Sequence, residues 1–314
     1  MGVLALTGGK KAGCNVSAKL FKWPIVTAED ENAVIEVLRA GSMSGTDITQ
    51  IFEKEYAQWN GVKYALGCCN GTAALTEALW ACGVGAGDEV ICPSMTYWAS
   101  ATPVVALGGT VNFADIDRNT LCIDPTDIEH RIGPRTKAIV VVHYAGYPCD
   151  MDAIMDIAAR HDLKVVEDVS HAQGGLYKGR KLGTIGHFGC FSFHEVKNCT
   201  SFGEGGILVT NIPEFRAEAR RARFLGVDFS NKIKNWLYDV SCIKGKYGPF
   251  MSANTSVTEI QALGLIQQMK RYDKILAERR RESTYMTERL SGNPAIIPQD
   301  LGNADIDPTF HLYL

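Results

Sequence analysis

Two hydrophobic periods alternate along this chain. Short apolar runs at Tyr64–Cys68, Asp88–Cys92, Thr110–Ala114, Ala138–His143, Leu163–Glu167, Phe188–Phe193 and Ile207–Thr210 read as strands. Segments around and between them have helical spacing: Thr27–Leu38, Asp47–Trp59, Ala73–Ala81, Tyr97–Leu107, Asp124–Ile132, Met151–His161 and Phe215–Phe224. A less regular stretch then runs to Phe250, and Val257–Leu290 is a long helical pattern, basic in its second half. Unbroken Val/Ile runs suit strands covered on both faces. Repeated βα units with short loops predict an α/β fold: a mainly parallel sheet flanked by helices, with right-handed crossovers.

The length of 314 residues suits one large domain plus a smaller one. Hydrophobic content of 46% and charged content of 21% are ordinary for a soluble globular protein. A net charge of −3 offers no basic footprint, so neither nucleic acid nor a membrane surface is expected as a partner. None of the 10 cysteines forms a Cys-x-x-Cys pair, which argues against a zinc or redox motif and for thiols in a reducing cytosol. Val3–Leu6 is too short for a signal-peptide core, and Leu6 stands where a myristoylation signal needs Ser or Thr. No apolar run approaches the ~20 residues of a spanning helix. A cytoplasmic protein is expected. Gly83–Gly87 has the wrong spacing for a dinucleotide fingerprint and reads as a turn.

In such sheets ligands gather beyond the carboxyl ends of the strands, and three features fall there. Gly71-Thr72 opens a helix directly after a strand, so its free N–H groups either hold a phosphate or simply start the helix. Asp168 follows the strand Leu163–Glu167, where a carboxylate either pairs with a protonated ring nitrogen or caps a helix. Lys197 sits in a Ser/Thr/Gly-rich loop between two strands, with Ser192 five positions ahead. It is either a solvated surface lysine or a partly desolvated amine with a lowered pKa, ready to trap a carbonyl as a Schiff base. A phosphate cradle, an acid for a pyridinium nitrogen and an amine for an aldehyde are together the three handles of pyridoxal 5′-phosphate, PLP.

Six ordered segments then carry a family resemblance. They are Asn70–Leu75, Pro93–Tyr97, Val142–Gly146 with Cys149–Met151, Glu167–Gly174, Phe191–Asn198 with Gly203–Gly206, and Asn254 with Thr258–Ala262. With them the chain, from about Trp23 to Met269, resembles the DegT/DnrJ/StrS family, sugar aminotransferases of the aspartate-aminotransferase fold (PLP fold type I). The resemblance implies a large PLP-binding domain over residues 26–245 and a small domain formed by 1–25 and 246–314. It implies that Lys197 holds the cofactor and shuttles a proton, while Asp168 keeps the pyridine nitrogen protonated. Tyr97 stacks on the ring, where the residue alone reads as a core aromatic, and His171 faces the phenolic oxygen. Gly71, Thr72 and Ser192 take the phosphate, with Asn254 reaching it from the other subunit of a homodimer. His143 and His194 read as structural. The implied reaction moves an amino group from glutamate or glutamine to a keto-sugar, nucleotide-linked, or to a keto-cyclitol. The opening Leu4–Lys10 with Lys22-Trp23-Pro24 resembles the cyclitol branch.

The chain departs from the family pattern in three places. Ser256 stands where an arginine is frequent, Cys68-Cys69 precedes the phosphate turn, and the chain stops at Phe310–Leu314, which resembles the start of a further strand. A fragment with an incomplete small domain is the expectation that follows. The rival functions are a PLP-dependent sugar dehydratase, a cysteine desulfurase and a non-catalytic PLP-binding protein. Lys197 argues against the dehydratases that carry histidine there, and no mobile-loop cysteine supports a desulfurase.

Overall fold

A computed structural model describes residues 3, 5–10, 23–41, 43, 46–227, 233–235, 244–245, 248–249 and 253–314. Leu4, Lys22 and most of the irregular stretch between Phe224 and Phe250 lie outside these residues, as does residue 246, where the second domain boundary is expected.

Helix α1 (Ala28–Ala40) begins where Thr27 and Asp30 form a reciprocal capping box, and it ends at Gly41 in the left-handed conformation. Helix α2 (Asp47–Asn60) ends at Gly61 in the same way. The alternation then runs β1 (Tyr64–Cys68), α3 (Gly71–Ala81), β2 (Glu89–Pro93), α4 (Thr102–Ala106), β3 (Thr110–Ala114), α5 (Pro125–Arg131), β4 (Thr136–Val142), α6 (Met151–Arg160) and β5 (Lys164–Asp168). Two short strands, β6 (Leu176–Tyr177) and β7 (Arg180–Lys181), lead to β8 (Phe188–Ser192), β9 (Gly206–Thr210) and α7 (Pro213–Arg223). Then come the two-residue strands β10 (Lys244–Gly245) and β11 (Gly248–Pro249), the long helix α8 (Glu259–Leu290) and β12 (Ile306–Asp307).

The main sheet has seven strands in the order β1-β9-β8-β5-β4-β2-β3. Strands β3, β2, β4, β5 and β8 pair in parallel, while β9 pairs antiparallel with both β8 and β1, so β9 alone is reversed. This is the mainly parallel α/β sheet expected. Strand alternation divides its side chains between two cores. Ile139, Val141, Val165 and Phe191 pack with Phe52 and Tyr56 of α2, Ile154 of α6 and Leu265 of α8. Val140, Val142, Val166 and Cys190 pack with Ala74, Ala78 and Leu79 of α3 and Ala219 of α7.

The short strands β6, β7, β10, β11 and β12 were not expected, and two expected elements take another form. Tyr97–Leu107 is not one helix: Trp98–Ser100 is a 3-10 turn, and α4 starts afresh at Thr102. Pro103 lacks an N–H and is favoured in a first helical turn, so it marks a start inside the pattern. Phe310–Leu314 does not form a strand. Phe310 has φ +48°, which interrupts extended pairing. The segment is held instead by Thr309 N–H donating to Gly146 O (3.0 Å) and Leu312 N–H donating to Ala145 O (3.2 Å). Arg279 of α8 adds a bond to Phe310 O (3.2 Å).

Candidate active site

A cavity of about 680 Å³ opens beyond the carboxyl ends of β2, β4, β5 and β8. Gly71, Thr72, Tyr97, Asp168, His171, Ser192 and Lys197 all line it, although they come from four separate segments of the chain.

At one end lies the turn from β1 into α3. Asn70 caps the helix, its Oδ1 accepting from Ala73 N–H (2.9 Å). That leaves the first-turn N–H groups of Gly71 and Thr72 free to meet an anion, with the helix dipole behind them. Gly71 is required here by packing: a Cβ would sit 2.7 Å from Ser192 Cβ. The close approach brings the Ser192 hydroxyl to the same helix start. Two backbone donors and two hydroxyls thus converge on one spot, a donor set suited to a phosphate.

Strand β5 supplies the acid. It runs one residue further than expected, so Asp168 is its last residue. Glu167 and Asp168 are neighbours, and the period of two sends them to opposite faces. Asp168 lines the cavity. Its Oδ2 accepts from Ser100 Oγ (2.7 Å) and its Oδ1 from Ser170 N–H (3.1 Å). Ser100 gives its hydrogen to Asp168, so Thr96 Oγ1, 2.8 Å away, donates to Ser100. Glu167 is sealed on the far side. It accepts from Gly183, Ile185 and Gly186 N–H at 2.6–2.8 Å and from His143 Nε2 at 3.0 Å. His143 Nδ1 accepts from Cys149 N–H, which fixes its tautomer and gives it a structural role.

The β8–β9 connection presents Lys197. Backbone bonds from Phe193 N–H to Gly205 O (2.7 Å) and from Glu195 N–H to Gly203 O (3.0 Å) tie the loop across its base. Burial lowers the Lys197 pKa from its ordinary value, and the Asp168 carboxylate opposes the shift. Desolvation thus outweighs attraction, and the amine is more available as a free base than a surface lysine. His171 is held neutral, its pKa pushed down to about 4 by burial and by Lys197. Its Nδ1 accepts from Ala145 N–H (3.3 Å). His194, read as structural, is on the cavity wall, its Nε2 3.7 Å from Glu204 Oε1.

The remaining expectations divide. Tyr97 is at the mouth, 67% exposed, so it is no core aromatic. Asn254 does not reach the cavity of its own chain. It is exposed, bridges the backbone of Phe224, and its Oδ1 accepts from Ser256 N–H (3.1 Å). Two polar residues from outside the quoted segments also line the cavity. Ser100 lay inside a segment read as one helix, and His311 lines the cavity from a segment far beyond the motifs. Nothing local in the sequence marks either; only the fold brings them in.

The family model for DegT/DnrJ/EryC1/StrS aminotransferases matches residues 24–314. This chain belongs to that family. The GDP-perosamine synthase of Caulobacter vibrioides is 41% identical over 240 residues, covering 76% of this chain and 61% of that protein. The L-glutamine:2-deoxy-scyllo-inosose aminotransferase of Streptoalloteichus tenebrarius is 35% identical over 303 residues, covering 93% and 69%. The chain therefore spans roughly two thirds of the length of these curated relatives. A solved aminotransferase from Psychrobacter cryohalolentis superposes with a TM-score of 0.82 at 36% identity, covering 92% of this chain and 75% of that one. The fold and the family are those anticipated.

Proposed function

We propose that this protein is a PLP-dependent aminotransferase that moves an amino group from glutamate or glutamine to a keto-sugar or keto-cyclitol. The observation that carries the reading is the convergence, in one cavity, of a desolvated lysine, a buried carboxylate and a helix N-terminus with free donors. The residues fit the cofactor: a Cβ at Gly71 would fill the space against Ser192, and the donors there match a phosphate. When bound, PLP supplies an electron sink for cleavage of a bond at the amine-bearing carbon.

The chain's own residues do the rest. Lys197 would hold the cofactor through its amine and, when free, would carry the substrate's proton. Asp168, held by Ser100 and Ser170, would offer its carboxylate to the ring nitrogen. Gly71, Thr72 and Ser192 would hold the phosphate, His171 would serve the phenolic oxygen and Tyr97 would cover the ring. Asn254 acts on the neighbouring chain's phosphate, and its exposed position away from its own cavity suits that role. Among the described residues, Lys197 is the only lysine on the cavity wall, and no arginine joins it. A homodimer in which a second subunit completes the site is part of this proposal. We assign residues 26–245 to the large domain and 1–25 with 246–314 to the small one. We place the protein in the cytoplasm, in keeping with eight free thiols among the described cysteines.

A single-turnover half-reaction tests the reading. PLP-loaded protein mixed with L-glutamate should yield about one equivalent of 2-oxoglutarate per site, and Lys197→Ala should yield none. Cofactor binding without 2-oxo acid from glutamate or glutamine would favour the dehydratase or the non-catalytic binder.

A further inference from the structure

His311 enters the cavity from outside every motif, and its surroundings dictate its chemistry. Its ring stacks on His171, with centroids 4.3 Å apart and planes at 27°. Its Nδ1 is 2.9 Å from Oδ1 of Asn198, the residue after Lys197. The Asn198 amide is not free to turn, because its Nδ2 donates to Thr309 O (3.3 Å) and the side chain is buried. Asn198 therefore offers His311 only an acceptor, and the hydrogen must sit on His311 Nδ1. Thr309 closes the assembly, its Oγ1 donating to His171 O (2.7 Å).

Burial, His171, Lys197 and Arg279 together push the His311 pKa down to about 2, so the ring is neutral. A neutral imidazole with hydrogen on Nδ1 carries a lone pair on Nε2. His171 is the mirror case. Its Nδ1 accepts from Ala145 N–H, so its Nε2 carries the hydrogen. Neither Nε2 has a hydrogen-bond partner among the described residues, and neither is a sealed buried atom. Two stacked rings thus present one donor and one acceptor to the same cavity.

We propose that His311 is a substrate-recognising residue, its Nε2 accepting the hydrogen of a hydroxyl on the acceptor ring, with Asn198 setting its tautomer. The inference rests on the aminotransferase reading and names a residue that meets the acceptor's hydroxyl. A lone pair attracts a hydroxyl and repels a carboxylate, so this wall favours a polyhydroxylated ring over a simple keto acid.

Two amines serve as probes of the reverse half-reaction: scyllo-inosamine, whose amine is flanked by hydroxyls, and cyclohexylamine, the same ring without them. Each is titrated into PLP-loaded protein while the visible band of the lysine-bound cofactor is followed. His311→Phe keeps a flat ring against His171 and removes the acceptor. The preference for scyllo-inosamine over cyclohexylamine should fall about tenfold, the worth of one hydrogen bond, and His311→Gln should restore part of it. An unchanged preference with the band intact overturns this inference alone; no lysine-bound band in the unsubstituted protein overturns the aminotransferase reading beneath it. Nitrogen-15 NMR of the unsubstituted, cofactor-free protein gives an independent readout. His311 should be neutral with hydrogen on Nδ1 at pH 7, and the Nε2–H form would contradict the proposal.

Discussion

Glu167 and Asp168 are adjacent carboxylates with opposite fates. Asp168→Asn keeps the Ser100 side of the site but removes the charge facing the cofactor. Turnover should fall by roughly 10² or more with cofactor still bound, and near-normal turnover would remove Asp168 from the mechanism. Glu167→Ala should act on stability instead, because three backbone N–H groups and His143 lose their acceptor. Leaving even two such donors unpaired costs about 2–6 kcal/mol, read as a large drop in the urea midpoint. His171 and His311 give a pH prediction. Both are neutral when folded, with pKa values lowered from 6.5 to about 4 and about 2. The unfolded chain therefore binds more protons below pH 6.5, and stability falls as pH falls through that range. Each histidine that stays neutral in the folded chain steepens the fall by up to about 1.4 kcal/mol for every pH step of one. Melting of the cofactor-free protein between pH 7 and pH 4.5 should show this acid limb, and the double variant His171→Gln/His311→Gln should flatten it. An acid limb of equal slope in both proteins would contradict the assignment. At this scale Gly71, Asp168, Ser192 and Lys197 were legible, because each follows or precedes a strand at a recognisable turn. Ser100 and His311 were not, since neither carries a local signal and both act through contacts across 68 and 113 residues.

Helix α2 shows how elements depend on each other. Its own N-cap residue, Thr46, makes no side-chain cap bond. The first-turn donors are met instead by Glu259 of α8, whose carboxylate accepts from Ile48 N–H (2.7 Å), Thr49 N–H (3.2 Å) and Thr49 Oγ1 (2.7 Å). A buried anion at a helix start also complements the dipole. Glu259→Ala should cost about 2–4 kcal/mol, and Glu259→Gln, which keeps one acceptor, should cost less. Equal midpoints for both variants and the unsubstituted protein would show that α2 is capped otherwise. The seven strands of the main sheet and most helices were legible, because the apolar runs inside β4 and β9 and the capping boxes at Thr27 and Thr258 are local signals. The break at Thr102 was passed over, although Pro103 marks it locally. The irregular course of Phe310–Leu314 was not legible: it depends on the positive φ of Phe310, on Leu312 N–H donating to Ala145 O and on Arg279 donating to Phe310 O.

At the scale of the whole molecule, the proposal has a second chain complete the site. Asn254 lies outside its own cavity, yet its neighbour Thr255 accepts from Cys69 N–H (2.7 Å) just before the phosphate turn. Thr255 Oγ1 also donates to the buried Glu77 (2.6 Å), whose pKa burial raises to about 7. The Asn254 segment is thus fastened firmly to the element that carries the phosphate donors. A homodimer in which this side chain serves the neighbouring site predicts complementation. Asn254→Ala should weaken PLP retention without unfolding the subunit, and mixing it with Lys197→Ala should restore part of the affinity per intact lysine. A mixture that binds no better than Asn254→Ala alone, or a monomer that stays fully loaded on dilution, would contradict the cross-subunit role.

The central claim is that Lys197 is the amine that holds the cofactor. The direct test is to load the protein with PLP, reduce it with borohydride and map the labelled peptide. The account predicts a visible band that disappears on reduction and a single label on Lys197. A label on another lysine, or a band that survives in Lys197→Ala, would contradict it.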